Sequence, residues 1–155
     1  MRQKLRIPIV IDIFRNNTEI LLKFLNTKDI YVIDKIYDNW NLIEHEWEGY
    51  PDLRFGQLLV NMNLVSGEIG ECVWNIEEDD WLFKNNYCDI QNIKFWGVNY
   101  YKNGKKRNVT KFVLLKDLKT DHIENIIKFF KDQNILPKLN KEYLEYFTKR
   151  INEDN

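Results

Sequence analysis

Five residues of 155 carry the serine, cysteine and histidine side chains most used for nucleophilic and acid–base chemistry: Ser66, Cys72, Cys88, His45 and His122. A Ser–His–acid triad would have to use Ser66, which sits in Val65-Ser66-Gly67 with no nucleophile-elbow pattern around it. Two cysteines and two histidines have the side chains of a zinc site but not its spacing, since no Cys pair two to four residues apart or His pair three to five apart occurs. Cys72-Val73-Trp74 reads instead as a small buried hydrophobe beside a core tryptophan. His122, between Asp121 and Ile123 at a helix start, would need a partner to act as an acid or base, and none can be identified, so capping or surface hydrogen bonding is the preferred reading. His45 lies between Glu44 and Glu46 on a solvated helix face. The run Glu77-Glu78-Asp79-Asp80 could in principle hold a hard cation, but four consecutive helical residues splay around the axis, and acids in a first turn complement the macrodipole. The sequence assigns no catalytic residue, no metal ligand and no cofactor.

The elements that would carry these residues are mostly helical. Leu5–Phe14 alternates Ile9, Ile11 and Ile13 as a strand would, yet Pro8 suits a first helical turn, and the helix is the preferred reading. Asn17 is placed to cap a helix over Thr18–Leu25. Ile33, Ile36, Tyr37, Trp40, Ile43 and Trp47 predict one long helix over 30–48, capped by Asp29 and ended by Gly49. Leu53, Leu58, Leu59 and Met62 predict a second, shorter helix antiparallel to it, in which Gly56 would cost about 1 kcal/mol relative to alanine and so points to a tight helix–helix approach. Arg54 and Gln57 share a polar face of that helix, free to bond a neighbour or a ligand. Residues 63–74 read as a loop, and Asn75-Ile76-Glu77-Glu78 as a capping box opening a helix to about Lys84. Thr120 or Asp121 starts a helix with the stripe Ile123, Ile126, Ile127 and Phe130. Asn140 caps a last one carrying Tyr143, Leu144, Phe147 and Ile151.

Between them the period changes. Residues 93–101 and 109–116 are β-branched and aromatic, and Asn103-Gly104 is a strong hairpin signal. A type I′ turn there sets Phe95 opposite Phe112 and Val98 opposite Val109, with Trp96, Val98, Tyr100, Val109, Val113 and Leu115 on the core face. Gly97 marks a bulge or a close approach. The fold class expected is α+β: a single, mostly helical domain over 1–155 with one antiparallel hairpin packed on helices.

Formal charge is −1, from 23 basic and 24 acidic residues, but it is unevenly placed. Residues 68–89 carry a net −6, and residues 102–119 a net +6 from Lys102, Lys105, Lys106, Arg107, Lys111, Lys116 and Lys119 against Asp117. Basic groups beside aromatics are what single-stranded nucleic acid requires, which makes Trp96, Tyr100, Lys105, Lys106, Arg107 and Lys111 a candidate binding patch. Lysines at a hairpin tip also serve simply to keep a sheet edge soluble, and the acidic and basic segments could neutralise each other within one chain or across a dimer.

With 68 apolar residues the chain can bury one ordinary core. It has no apolar run of about 18 residues, so no transmembrane helix is expected. Basic Arg2, Lys4 and Arg6 precede an apolar stretch interrupted by Asp12 and Arg15, which is not the pattern of a secretory leader. A cytoplasmic protein with reduced thiols is expected. Nineteen Asn, 18 Ile and 17 Lys, one Ser and no Ala suit an AT-rich genome. Five Trp, eight Tyr and nine Phe are a surplus that could build a protein interface.

Tyr50-Pro51-Asp52-Leu53-Arg54-Phe55-Gly56-Gln57-Leu58-Leu59-Val60-Asn61 resembles a P-D-L-R-x-G-Q-L-L-x-N segment of small uncharacterised bacterial and phage proteins. Trp96-Gly97, the basic Asn103-Gly104-Lys105 turn and Leu114–Glu124 are similar to the ending of short phage-encoded proteins. The resemblance implies an origin in a low-GC bacterium or its phage, and no activity. The function expected is that of a non-enzymatic protein-interaction factor with an unknown protein partner or a second copy of itself. The alternatives are a small nucleic-acid-binding protein using hairpin 96–111, and an enzyme using His122 with a carboxylate.

Overall fold

The computed structural model describes residues 4–154; Arg2 lies outside them. The fold is α+β and mostly helical, with one two-stranded antiparallel hairpin. The chain, expected to form one domain over 1–155, divides into two compact units, Met1–Asp89 and Ile90–Asn155.

The first unit holds α1 (Arg6–Asn16), α2 (Thr18–Leu25), α3 (Ile30–Tyr37), α4 (Trp40–Gly49), α5 (Phe55–Asn61), α6 (Gly67–Val73) and α7 (Glu78–Lys84). Its core centres on Phe55, whose ring lies 5.0 Å from Phe14, 5.4 Å from Trp47, 5.8 Å from Phe24 and 6.2 Å from Trp40. Each such aromatic contact adds about 0.5–1.5 kcal/mol beyond area burial. Residues 6–14 of the segment 5–14 are helical, the preferred reading, with Leu5 at the N-cap.

The long helix expected over 30–48 is two. The break falls at Asp38-Asn39, where the Asn39 N–H turns back to the Ile36 carbonyl (3.0 Å) and its side-chain amide donates to the Lys35 carbonyl (2.7 Å). The asparagine thus satisfies a carbonyl released by the break. Asp29 caps α3 as expected, accepting from the Tyr31 N–H at 3.0 Å. Asn17 stands at the start of α2, but its side chain donates to the Ile13 carbonyl instead of capping.

Residues 63–74, expected as a loop, contain α6. Its register buries Val73 and exposes Cys72 and Trp74, which corrects the reading of those two as core residues. Gly56 explains how α6 fits: a Cβ there would stand 2.2 Å from the Val73 carbonyl oxygen, so only hydrogen allows the approach.

The capping box at Asn75–Glu78 is absent, because Glu77 is the N-cap residue of α7 and Glu78 is fully buried. The Glu78 carboxylate accepts from Arg6 Nε at 2.9 Å and from the Phe55 N–H at 3.1 Å, while Arg6 Nη2 donates to the Leu53 carbonyl at 3.0 Å. Arg6 is itself buried, with its guanidinium 5.1 Å from the Trp47 ring centroid. Burial raises the Glu78 carboxyl above its ordinary range, and the Arg6 charge and backbone N–H groups offset this only in part.

The second unit packs β1 (Phe95–Tyr100) and β2 (Lys106–Leu114) on α8 (Thr120–Asp132) and α9 (Lys141–Asp154). Leu115, Leu118, Ile123, Ile126, Tyr146 and Phe147 form its centre. The Tyr146 hydroxyl donates toward the Leu115 carbonyl (3.2 Å) and accepts from Arg150 Nη1 (2.7 Å), and Arg150 Nη2 reaches the Leu118 carbonyl (2.7 Å), so the turn after β2 is held by α9. Asn140 caps α9 as expected, its Oδ1 accepting from the Glu142 N–H at 2.9 Å and the Tyr143 N–H at 3.3 Å. Asn140→Ala should cost about 1 kcal/mol, read as a lowered denaturation midpoint of the second unit; an unchanged midpoint would assign the cap no weight.

Four helices end alike. Asn26, Asn63, Asn86 and Asn134 follow α2, α5, α7 and α8 with positive φ of 52–65°. In each case the next residue's N–H bonds five residues back: Thr27 to Leu22, Leu64 to Leu59, Tyr87 to Leu82 and Ile135 to Phe130. These are Schellman stops with asparagine where glycine is the usual residue.

Candidate interaction surface

The hairpin forms where its sequence predicts, but not in the predicted register. Phe95 faces Leu114 and Val98 faces Lys111, two residues further along β2 than a type I′ turn would give. Among the non-glycine residues Asn103 has no positive φ, which a type I′ turn centred on Asn103-Gly104 requires. The chain instead turns over Tyr101–Gly104, with the Gly104 N–H on the Tyr101 carbonyl (3.0 Å), and the Tyr101 N–H then reaches the Lys105 carbonyl (2.8 Å). Gly104 takes the left-handed φ of +87°, and Asn103 Oδ1 accepts from the Lys105 N–H at 3.0 Å.

A bulge follows. Between the pairs Val98–Lys111 and Tyr100–Lys106, β1 has one residue and β2 has four. The extra length pushes Val109 outward, to 79% exposure, so it does not join the core face expected for it. Asn99 and Thr110 close the bulge through a 2.6 Å side-chain bond. Gly97 is a close approach, as expected: a Cβ would stand 3.1 Å from Thr110 Cγ2 and 3.2 Å from Phe112 Cε1.

The structure divides the six candidate patch residues. Trp96 is half-buried and packs against the helical core, its ring 5.5 Å from Phe147, 6.1 Å from Tyr143 and 6.5 Å from Phe130. The other five gather at the tip. Tyr100 is 59% exposed and pairs across the strands with Lys106, Lys105 and Lys111 are exposed, and Arg107 lies over the Tyr101 ring at 4.2 Å. Tyr101, 48% exposed, belongs to the surface although the charge pattern alone did not select it. Lys102 adds a fifth cation within ten residues.

Arg54 and Gln57, the other polar candidates, are used internally. The Arg54 N–H bonds Gln57 Oε1 and Arg54 Nε bonds Glu77 Oε1, each at 3.0 Å. They close the start of α5 and tie it to α7. His122 is half-buried in the first turn of α8 and its backbone N–H bonds Asp121 Oδ1; His45 is exposed on α4. Among the described residues no group of three His, Cys, Asp or Glu is placed to hold a metal. Open clefts among the described residues include one of about 640 Å³ on α9 beside Leu144 and Lys149 and one of about 490 Å³ between Arg15 and the α3–α4 junction. Neither is lined by Ser66, a histidine or a cysteine.

The division into units sharpens the charge pattern. Residues 1–89 hold 9 basic and 16 acidic residues, a net −7, and residues 90–155 hold 14 basic and 8 acidic, a net +6. The hairpin stretch 102–111 alone contributes +5 of that. No helix among the described residues is long and apolar enough to cross a membrane. No family model, curated protein or solved structure matches the chain.

Proposed function

We propose that this chain acts by binding a macromolecular partner, in the cytoplasm of a low-GC bacterium or during its infection by a phage, and that the hairpin tip of the second unit is its recognition element. The observation that carries this reading is the concentration of Lys102, Lys105, Lys106, Arg107 and Lys111 with exposed Tyr100, Tyr101 and Val109 on one ribbon anchored at its base by Trp96. A rigid base and an exposed tip of mixed cationic and apolar character suit a negatively charged partner surface.

The test is photocrosslinking. A benzophenone amino acid in place of Tyr100 should yield adducts in lysate that are lost when Lys105, Lys106 and Arg107 are also changed to alanine. The same probe in place of Tyr31, 80% exposed in the first unit, serves as the control. Adducts no stronger than the Tyr31 control would sink the reading.

A further inference from the structure

Resting on that reading, we infer that the partner of the hairpin is single-stranded nucleic acid. The argument begins with residue type. Protein–protein interface cores are depleted in lysine, whereas nucleic-acid interfaces are strongly positive and polar. Four of the five cations at this tip are lysines, and the unit that bears them is net +6. Lysine's mobile point charge suits a phosphate chain, which needs neutralisation at regular intervals more than it needs fixed geometry.

The second part is the arrangement of rings. Tyr100 stands directly across the ribbon from Lys106, so a base stacked on the phenol places its own phosphate within reach of that ammonium. Tyr101 carries the Arg107 guanidinium 4.2 Å from its ring centroid, which sets a cation and an aromatic ring side by side. Stacking platforms interleaved with cations are the combination that binds single strands without sequence preference. A duplex hides its base faces, so Tyr100 and Tyr101 would gain little from it. With Trp96 half-buried against the helices, the exposed rings of the platform are Tyr100 and Tyr101, which suits a short site.

The experiment is fluorescence anisotropy on the full chain, with a labelled dT20 strand, the matching duplex and poly-glutamate as probes. The single strand should bind best. If about five phosphates are neutralised, affinity should fall roughly 100-fold between 50 and 200 mM salt. Lys105, Lys106 and Arg107 changed together to alanine should flatten that slope by about 2. Tyr100→Ala should lose about tenfold in affinity at every salt concentration, and Tyr100→Phe should restore it, since the phenyl face stacks as well. Equal or tighter binding of the duplex, or a full affinity in Tyr100→Ala, overturns single-strand recognition. Hairpin-dependent binding of poly-glutamate without binding of dT20 overturns this inference and leaves the binding role standing. No binding of any probe at 50 mM salt overturns both.

Discussion

Glu78→Ala is expected to destabilise the first unit by about 3–5 kcal/mol, whereas the pair Arg6→Met with Glu78→Leu is expected to be neutral or stabilising by about 1–4 kcal/mol. Both follow from the same geometry. Arg6 and Glu78 are almost wholly withdrawn from water, 2.9 Å apart, and each also satisfies backbone: Arg6 the Leu53 carbonyl, Glu78 the Phe55 N–H. Removing one partner strands a buried guanidinium and an orphaned N–H. Removing both removes the desolvation penalty with the attraction. Guanidinium denaturation followed by tryptophan fluorescence reads the result, because four of the five tryptophans (40, 47, 74 and 81) lie in the first unit. An Ala variant as stable as the wild type would show that the pair carries no weight.

The pH dependence has a definite sign. Burial raises the folded-state pKa of Glu78 above the ordinary carboxylate value of 4.5, so the fold binds this proton more tightly than the unfolded chain does. The group's contribution to stability is therefore fully present below about pH 4.5 and is lost as pH rises through the raised value. Glu78→Gln cannot titrate and keeps one acceptor oxygen, so its amide NH2 faces either Arg6 Nε or the Phe55 N–H and one of the two bonds is lost. Whatever the offset at pH 7, the wild type should gain stability relative to this variant on acidification from neutral pH. The other carboxylates cancel in the difference. A gap that widens in the opposite direction would mean that the Arg6 charge outweighs burial.

Gly56→Ala should also be severe. Alanine in a helix ordinarily gains about 1 kcal/mol over glycine, but here the added Cβ would lie 2.2 Å from the Val73 carbonyl oxygen and 2.7 Å from its carbon. Those atoms are backbone within α6 and cannot rotate away, so α5 and α6 must separate. A net loss of about 2–3 kcal/mol is expected from overpacking. Gly49, at the end of α4, has nothing within 4 Å of the same construction. Gly49→Ala should therefore raise stability by about 0.5–1 kcal/mol. The two variants compared in one thermal melt separate space from propensity; equal shifts of the same sign would refute the close packing of Gly56 on Val73.

Sequence periodicity located most helices and the hairpin, because each rests on local spacing. Ile123, Ile126 and Phe130 repeat as a stripe, and Asn140 stands where a cap must stand. What escaped was decided by distant or by single atoms. Glu78 has the spacing of a capping residue, and its true partner is 72 residues away at Arg6. The stripe from Ile33 to Trp47 is continuous in period, yet one amide on the Lys35 carbonyl makes the break at Asn39 tolerable. In the hairpin, Asn103-Gly104 marks a turn but not its type, and a four-residue turn with a bulge moved Val109 from the expected core to the surface. Of the binding patch, the charges were legible as a run. Trp96 and Tyr100 read both ways, as core-face residues by alternation and as patch residues by type; Trp96 packs against the helices and Tyr100 stands exposed.

The asparagine stops tie backbone conformation to nucleotide composition. The chain has 19 asparagines and six glycines, and at four helix ends asparagine holds a left-handed φ. Asparagine and lysine codons share their first two bases, both adenine, and differ only in the third. One third-position change at residue 26, 63, 86 or 134 thus replaces a residue that tolerates this conformation with one for which it costs roughly 1–2 kcal/mol. Wobble-position drift, usually silent or a mild surface change, becomes at these sites a lesion in how a helix ends.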